Sequence, residues 1–432
     1  MDFQEDFLHT VWKYQYFNKQ GLNTTEGQPI EIKKIGYHNS HDGPDFLEAH
    51  IRIGNLDHVG NVEIHRRASD WHAHAHERDP RYQTVVLHVV WEEDQPISHT
   101  DKSRIPTLEL KGRVWLDVLR NYERLLQGQQ ELLCGQLLPE VPEIIRFSML
   151  EKALVERMEK KSQAILLLLK ETQNDWEETA YQWLFACFGF KTNAEPMLQV
   201  AKSVPYKTLQ KLGQAEAIEA ILLGQAGLLP ENLEDSYSQR LRKEYDFYQH
   251  KYRLPFALSS QVWKTKGVRP GNFPALRLVQ LAQILSSNPH LFSSILSLEE
   301  DYNGFSRIFK IQMPDYWQTH YRPGEVSIKK LSKGLSKSSL DLLMINFVCP
   351  LWAAYGMYVK EEKWKQKCLD LLEQLPKENN YIIRKFQAEG WEAQHAADTQ
   401  GMIGLYQEYC QRKRCLDCKV GQQLLKPQKK PC

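Results

Sequence analysis

The sequence predicts an α+β protein: an N-terminal αβββαβ domain, then a mainly α-helical domain, then a short Cys-rich basic tail. Three observations predict it. Residues 1–113 hold one helical pattern followed by strand-like alternation, 114–405 carry long helical patterns, and 406–432 collect cysteines and basic side chains. The chain has 432 residues, 42% of them hydrophobic and 25% charged, which suits two or three globular domains.

Each element has a local reason. Glu5–Phe17 reads as a helix because Phe7, Val11 and Tyr14 recur at helical spacing, with Leu8 and Trp12 beside them. Asn23–Gly27 supplies turn residues, and Pro29–Ile35 alternates as a strand does. Phe46–Ile53 and Val59–His65 are two more strands, joined by Gly54-Asn55, a hairpin signal. Ser69 is placed to cap a short helical segment through DWHAHAH, and Asp79-Pro80 starts another helical turn, with Asp as N-cap and Pro at the first position. Val85–Trp91 is dense in β-branched residues and predicts a buried strand; Ile105–Lys111 completes the sheet. Beyond Val114, Met149–Thr172, Trp176–Phe188, Ala215–Leu223 and Asp235–Tyr252 predict helices, and Gly189 terminates the second.

The totals narrow the function. Net charge is +1, so a surface for polyanions must be local. The start, MDFQED, lacks the basic n-region of a signal peptide, and the longest aliphatic run, Ala164–Leu169, has six residues. A cytoplasmic protein with no membrane partner is expected, and its eight cysteines are then not a disulfide framework. Eleven of the fifteen histidines fall in the first hundred residues, which directs attention to the N-terminal domain for chemistry.

There, GPDF and GNVEIH frame the hairpin. Glu63 and His65 are two apart on one strand and face the same way. The hairpin brings Asp45 beside Glu63, and two converging carboxylates suit a hard cation such as Mg²⁺ or Mn²⁺. Such an ion stabilises charge on a phosphoryl oxygen and lowers the pKa of bound water. Glu5 adds a third carboxylate if its helix crosses the sheet. The alternating His72, His74 and His76 would share a face on a strand. On the favoured helix they fan out, so a structural role or a phosphate contact is expected rather than a three-histidine zinc site.

The tail is a second candidate. Cys410, Cys415 and Cys418 stand at C-x4-C-x2-C spacing, and three close thiolates suit Zn²⁺ or an iron–sulfur cluster. The spacing does not mark a fourth ligand. Residues 406–432 carry seven Lys/Arg against Glu408 and Asp417, a local +5 suited to a phosphate backbone.

The order αβββαβ, with Pro44-Asp45 and then Glu63-Ile64-His65, resembles the PD-(D/E)xK nuclease superfamily over about the first 95 residues. The resemblance implies that Asp45 and Glu63 hold metal and that a residue two after the Glu positions or activates water. His65 stands where that superfamily has Lys; as neutral imidazole it is a candidate general base. Glu5 matches the helix-borne Glu of some branches. Over nearly its full length the chain also resembles an uncharacterised bacterial family, domain of unknown function 2851. The motifs are QEDFLHTVWK, GPDF, GNVEIH, SDW.H.H, VVLHVVWE, IPTLELK and a C-terminal YC....CL.C. Three readings stay open. The first is a metal-dependent phosphodiesterase acting on DNA or RNA, with Asp45, Glu63 and His65 catalytic. The second is a non-catalytic nucleic-acid-binding protein on a degenerate nuclease fold, and the third a metal-dependent hydrolase of another substrate.

Overall fold

The computed structural model describes residues 3–427 apart from 40, 129–130, 231, 233, 299–301, 329 and 332–333. Two units divide the chain: 1–150 with 384–391 and 405–432, and 151–383 with 392–404.

The first unit is built on a mixed sheet. Helix α1 (Glu5–Tyr14) precedes strands β1 (Ile30–Lys34), β2 (Tyr37–His38), β3 (Phe46–Ile53) and β4 (Leu56–Arg67). After the short helix α2 (Asp70–Ala73) come β5 (Val85–Glu92), β6 (Thr107–Glu109) and helix α3 (Leu116–Leu126). The strand order is β1-β3-β4-β5-β6, with β2 also pairing β3. β1, β3 and β4 run antiparallel; β4, β5 and β6 run parallel. Gly54 takes φ +60° at the β3–β4 turn, a conformation in which a side chain is strained.

Alternation along β4 sets the two faces of the sheet. Val62 and Ile64 join Leu87, Val89 and the buried face of α1 (Phe7, Leu8, Val11, Trp12) in the main core of this unit. Glu63 and His65, one position out of phase, face the other side, where Trp71, Tyr82, Val90 and Ile105 form a smaller cluster. Helix α1 is shorter than predicted. Gln15 turns left-handed at φ +53° and closes the helix, its N–H bonding Trp12 O. The predicted strand at Ile105–Lys111 is likewise trimmed to Thr107–Glu109.

Ser69 does not cap α2. It sits in helical conformation, and its N–H and hydroxyl both donate to Asp94, at 2.9 and 2.6 Å. The helix ends at Ala73, and Ala75 takes φ +56°, which breaks the histidine run into two pieces. Asp79 does cap the following 3-10 turn, Pro80–Thr84, by accepting from the Arg81 N–H.

The second unit is helical around one large apolar cluster. Trp176–Phe188 is helical as predicted, with Asp175 accepting from the Glu178 N–H. Ala215–Gln225 is buried over most of its length and packs on Ser236–Tyr252. Gly224 permits this approach, since a Cβ there would lie 2.1 Å from the Tyr245 ring. The run Lys337–Val359 is long and apolar enough to cross a bilayer by length and composition, but 67% of its most apolar window is buried inside the protein.

Glu219 makes this unit sensitive to pH. Its Oε1 accepts from Trp317 Nε1–H (2.6 Å) and Tyr237 Oη–H (2.9 Å), and burial pushes its pKa up to about 7. The native state therefore holds a proton that the unfolded chain releases near 4.5. Stability is full below that value and falls as pH rises through 7, by about 3 kcal/mol in total. Urea unfolding of the second unit is expected to show that loss between pH 4.5 and 7. Glu219→Gln should remove this contribution and leave those of Glu5 and Glu63 in the first unit; an unchanged slope in the second unit would assign it to other groups.

Candidate metal and carboxylate–histidine site

The hairpin brings Asp45 and Glu63 together as the sequence predicts. Phe46 pairs with Val62, so Asp45, one residue earlier, lies opposite Glu63. The Asp45 N–H donates to Glu63 Oε2 at 3.1 Å, and Asp45 Oδ2 accepts from the Ile64 N–H at 2.9 Å. Each carboxylate is thus fixed by the backbone beside the other. From α1, His9 Nε2 lies 3.3 Å from Asp45 Oδ2 and 3.9 Å from Glu5 Oε1, one helical turn back. Glu5 is therefore at the rim of the carboxylate pair, reached through His9.

The other oxygen of Glu63 faces histidines. Oε1 is 3.3 Å from His76 Nε2 and 3.6 Å from His65 Nε2. His74 Nδ1 is 3.2 Å from the same His65 nitrogen. His65, His74 and His76 present one nitrogen each, all within 4.8 Å of one another; among the described residues this is the group arranged to hold a metal ion. The break at Ala75 makes the group possible, because it turns His74 and His76 to the same side. His65 Nδ1 meets His88 Nε2 at 2.8 Å, through the parallel pairing of Glu63 with His88 across β4 and β5. If His65 donates in that bond, its Nε2 lone pair is left facing Glu63, the tautomer and orientation a ligating histidine needs.

Burial sets the electrostatics. Glu63 is 4% exposed and His65 1%, while His74 is exposed and opens the group to solvent. Burial, and then the Asp45 charge, pushes Glu63 up to about 9; burial pushes Glu5 up to about 7. His65 is held far below its ordinary value by burial and then by His88, His76 and His74, and burial takes His88 down to about 3. Burial also lowers His76. These imidazoles are neutral, the form that binds metal. Burial pulls His9 down as well, but the neighbouring carboxylates, Asp45 first and then Glu5 and Asp6, together offset it and leave His9 above its ordinary value.

A cavity of about 900 Å³ adjoins His9. Its wall carries Lys13, Arg66, Arg412, Lys413 and Arg414 against Asp6 and Asp417. Cys415 also lines it, so part of the basic tail lies beside α1; Lys429, Lys430 and Cys432 are outside the described residues. Cys410, Cys415 and Cys418 lie in the same unit as the sheet but take no part in the carboxylate–histidine group.

Sequence reasoning placed Asp45, Glu63, His65 and Glu5 but missed His9, His74, His76 and His88 as parts of one group. For His9 there was a signal, its i,i+4 spacing from Glu5. His74 and His76 had none, because nothing at Ala75 announces a left-handed residue.

The fold and the site define an α+β protein with a buried carboxylate–histidine group on one face of a mixed sheet. The chain belongs to the family described as Protein of unknown function (DUF2851), whose model matches residues 5–381. No curated protein and no solved structure matches it.

Proposed function

We propose that this chain is a metal-dependent phosphodiesterase that cleaves nucleic acid, with Glu63 at the centre of its ion site. The observation that carries the reading is the position of Glu63 between Asp45 and the three histidines, one carboxylate oxygen toward each. Glu63, His65, His74 and His76 would hold the ion, with Asp45 beside them. A mixed imidazole and carboxylate set favours Mn²⁺ or Zn²⁺ over Mg²⁺. When bound, the ion supplies Lewis acidity to a phosphoryl oxygen and acidifies water.

The residues around the group have separate tasks. The Asp45 N–H orients Glu63, and His88 orients the His65 ring. Buried with both nitrogens facing other side chains, His65 suits a ligand better than a proton carrier. His9 joins the carboxylates to the basic cavity and is the group placed to move a proton. Cations along that cavity suit a phosphate backbone. The element order is a helix, four strands, a short helix and two strands; it departs from the expected αβββαβ by the two-residue strand Tyr37–His38 and by Thr107–Glu109, and a fold by itself does not specify chemistry.

The test is cleavage of single-stranded, double-stranded and branched DNA and RNA with Mn²⁺, Zn²⁺ or Mg²⁺. Metal-dependent cleavage, strongest with Mn²⁺ or Zn²⁺, is expected. His65→Lys separates two roles for that residue. As a ligand, its replacement should weaken Mn²⁺ affinity and activity together. As a stand-in for the superfamily Lys, its replacement should preserve activity. Binding of every substrate without cleavage, unchanged by Glu63→Gln and falling steeply with salt, would move the function to the basic surfaces and the non-catalytic reading.

A further inference from the structure

A fourth cysteine, Cys134, comes near the C-x4-C-x2-C segment from a distant part of the chain. Cys134 immediately precedes the 3-10 turn Gly135–Glu140, and Cys418 immediately precedes the helix Lys419–Leu425. These two elements pack against each other. Between Cys410 and Cys418 the chain makes a tight excursion. Lys413 turns left-handed at φ +55°, Cys415–Asp417 forms a 3-10 turn, and the Cys418 N–H bonds Cys415 O. Gly421 lets that turn sit directly on the last helix, since a Cβ there would lie 2.0 Å from Cys415 O.

The thiols converge. Cys134 lies within the electrostatic reach of Cys418 and Cys415, and Cys410 within that of the other three. None of the four is in a disulfide; Cys418 is buried and the others are partly buried.

We propose that Cys134, Cys410, Cys415 and Cys418 form one tetrathiolate centre for a soft or borderline metal, either an iron–sulfur cluster or a single zinc. Four buried or partly buried thiols gathered from two separated segments have no packing purpose that Ala or Val would not serve as well, whereas a tetrathiolate centre needs all four. The centre would tie the 412–414 loop, with its three basic residues, to the segment after α3. That role is independent of whether the carboxylate site is catalytic.

The test uses the full chain, prepared without a His tag under anaerobic, reducing conditions. Iron, zinc and acid-labile sulfide are measured, and X-ray absorption counts the sulfur ligands. The expected result is about one centre per chain with four protein thiolates, either as iron plus sulfide or as one zinc on four sulfurs. Cys134→Ser should lose metal as fully as Cys415→Ser, while Cys187→Ser keeps it. If Cys134→Ser does not fold, the ligand count on the wild type still decides. Metal-free protein, three sulfur ligands, or full metal retention in Cys134→Ser would overturn the proposal.

Discussion

Glu63→Gln is expected to lower metal-dependent cleavage by at least ~10³-fold, about 4 kcal/mol of transition-state stabilisation. The substitution keeps the size of the side chain but removes the charge that an ion would use. The amide can keep its neighbours, its oxygen accepting from the Asp45 N–H and its NH2 facing the His65 Nε2 lone pair, so the loss is of charge rather than of packing. Asp45→Ala should cost a similar factor by another route, because Ile64 N–H and His9 lose their acceptor. Circular dichroism should show both variants folded, and steady-state cleavage with saturating Mn²⁺ gives the factors. A Glu63→Gln enzyme within tenfold of wild type would remove this carboxylate from the proposed chemistry.

Trp12→Ala is expected to destabilise the first unit by about 3–5 kcal/mol, the cost of emptying a large aromatic site in a core. Trp12 is fully buried, stacks on Phe17 at 6.0 Å, and donates its indole N–H to Ile35 O at 3.1 Å. The same helix presents Glu5 and His9 to Asp45. Loss of the anchor should therefore loosen the rim of the site before the unit unfolds. Urea unfolding monitored by hydrogen exchange at β3 and β4 measures the effect. A loss under 1 kcal/mol would mean that α1 is held by its other contacts.

Much of the sheet was legible because its signals are local. Phe46–Ile53 appears with the predicted bounds, and the Gly54-Asn55 turn fixes a register that puts Asp45 opposite Glu63. The histidine group was less legible because it depends on non-local pairing and on one backbone choice. His88 reaches His65 only because β5 runs parallel to β4, and His76 turns inward only after the left-handed Ala75. The helical reading of DWHAHAH holds for Asp70–Ala73 and fails at Ala75, whose left-handed backbone ends the helix. Cys134 gave no signal in sequence either. A single cysteine before a short turn acquires meaning only when Lys419–Leu425 packs beside that turn.

The most direct test of the central claim is anomalous diffraction from a crystal soaked in Mn²⁺, collected for wild type and for Glu63→Gln. The account predicts one strong peak bonded to Glu63 and to nitrogens of the His65–His74–His76 group, at distances of ~2.0–2.3 Å, and its loss in the variant. No peak at Glu63 in the wild type, or an equal peak in the variant, would contradict it.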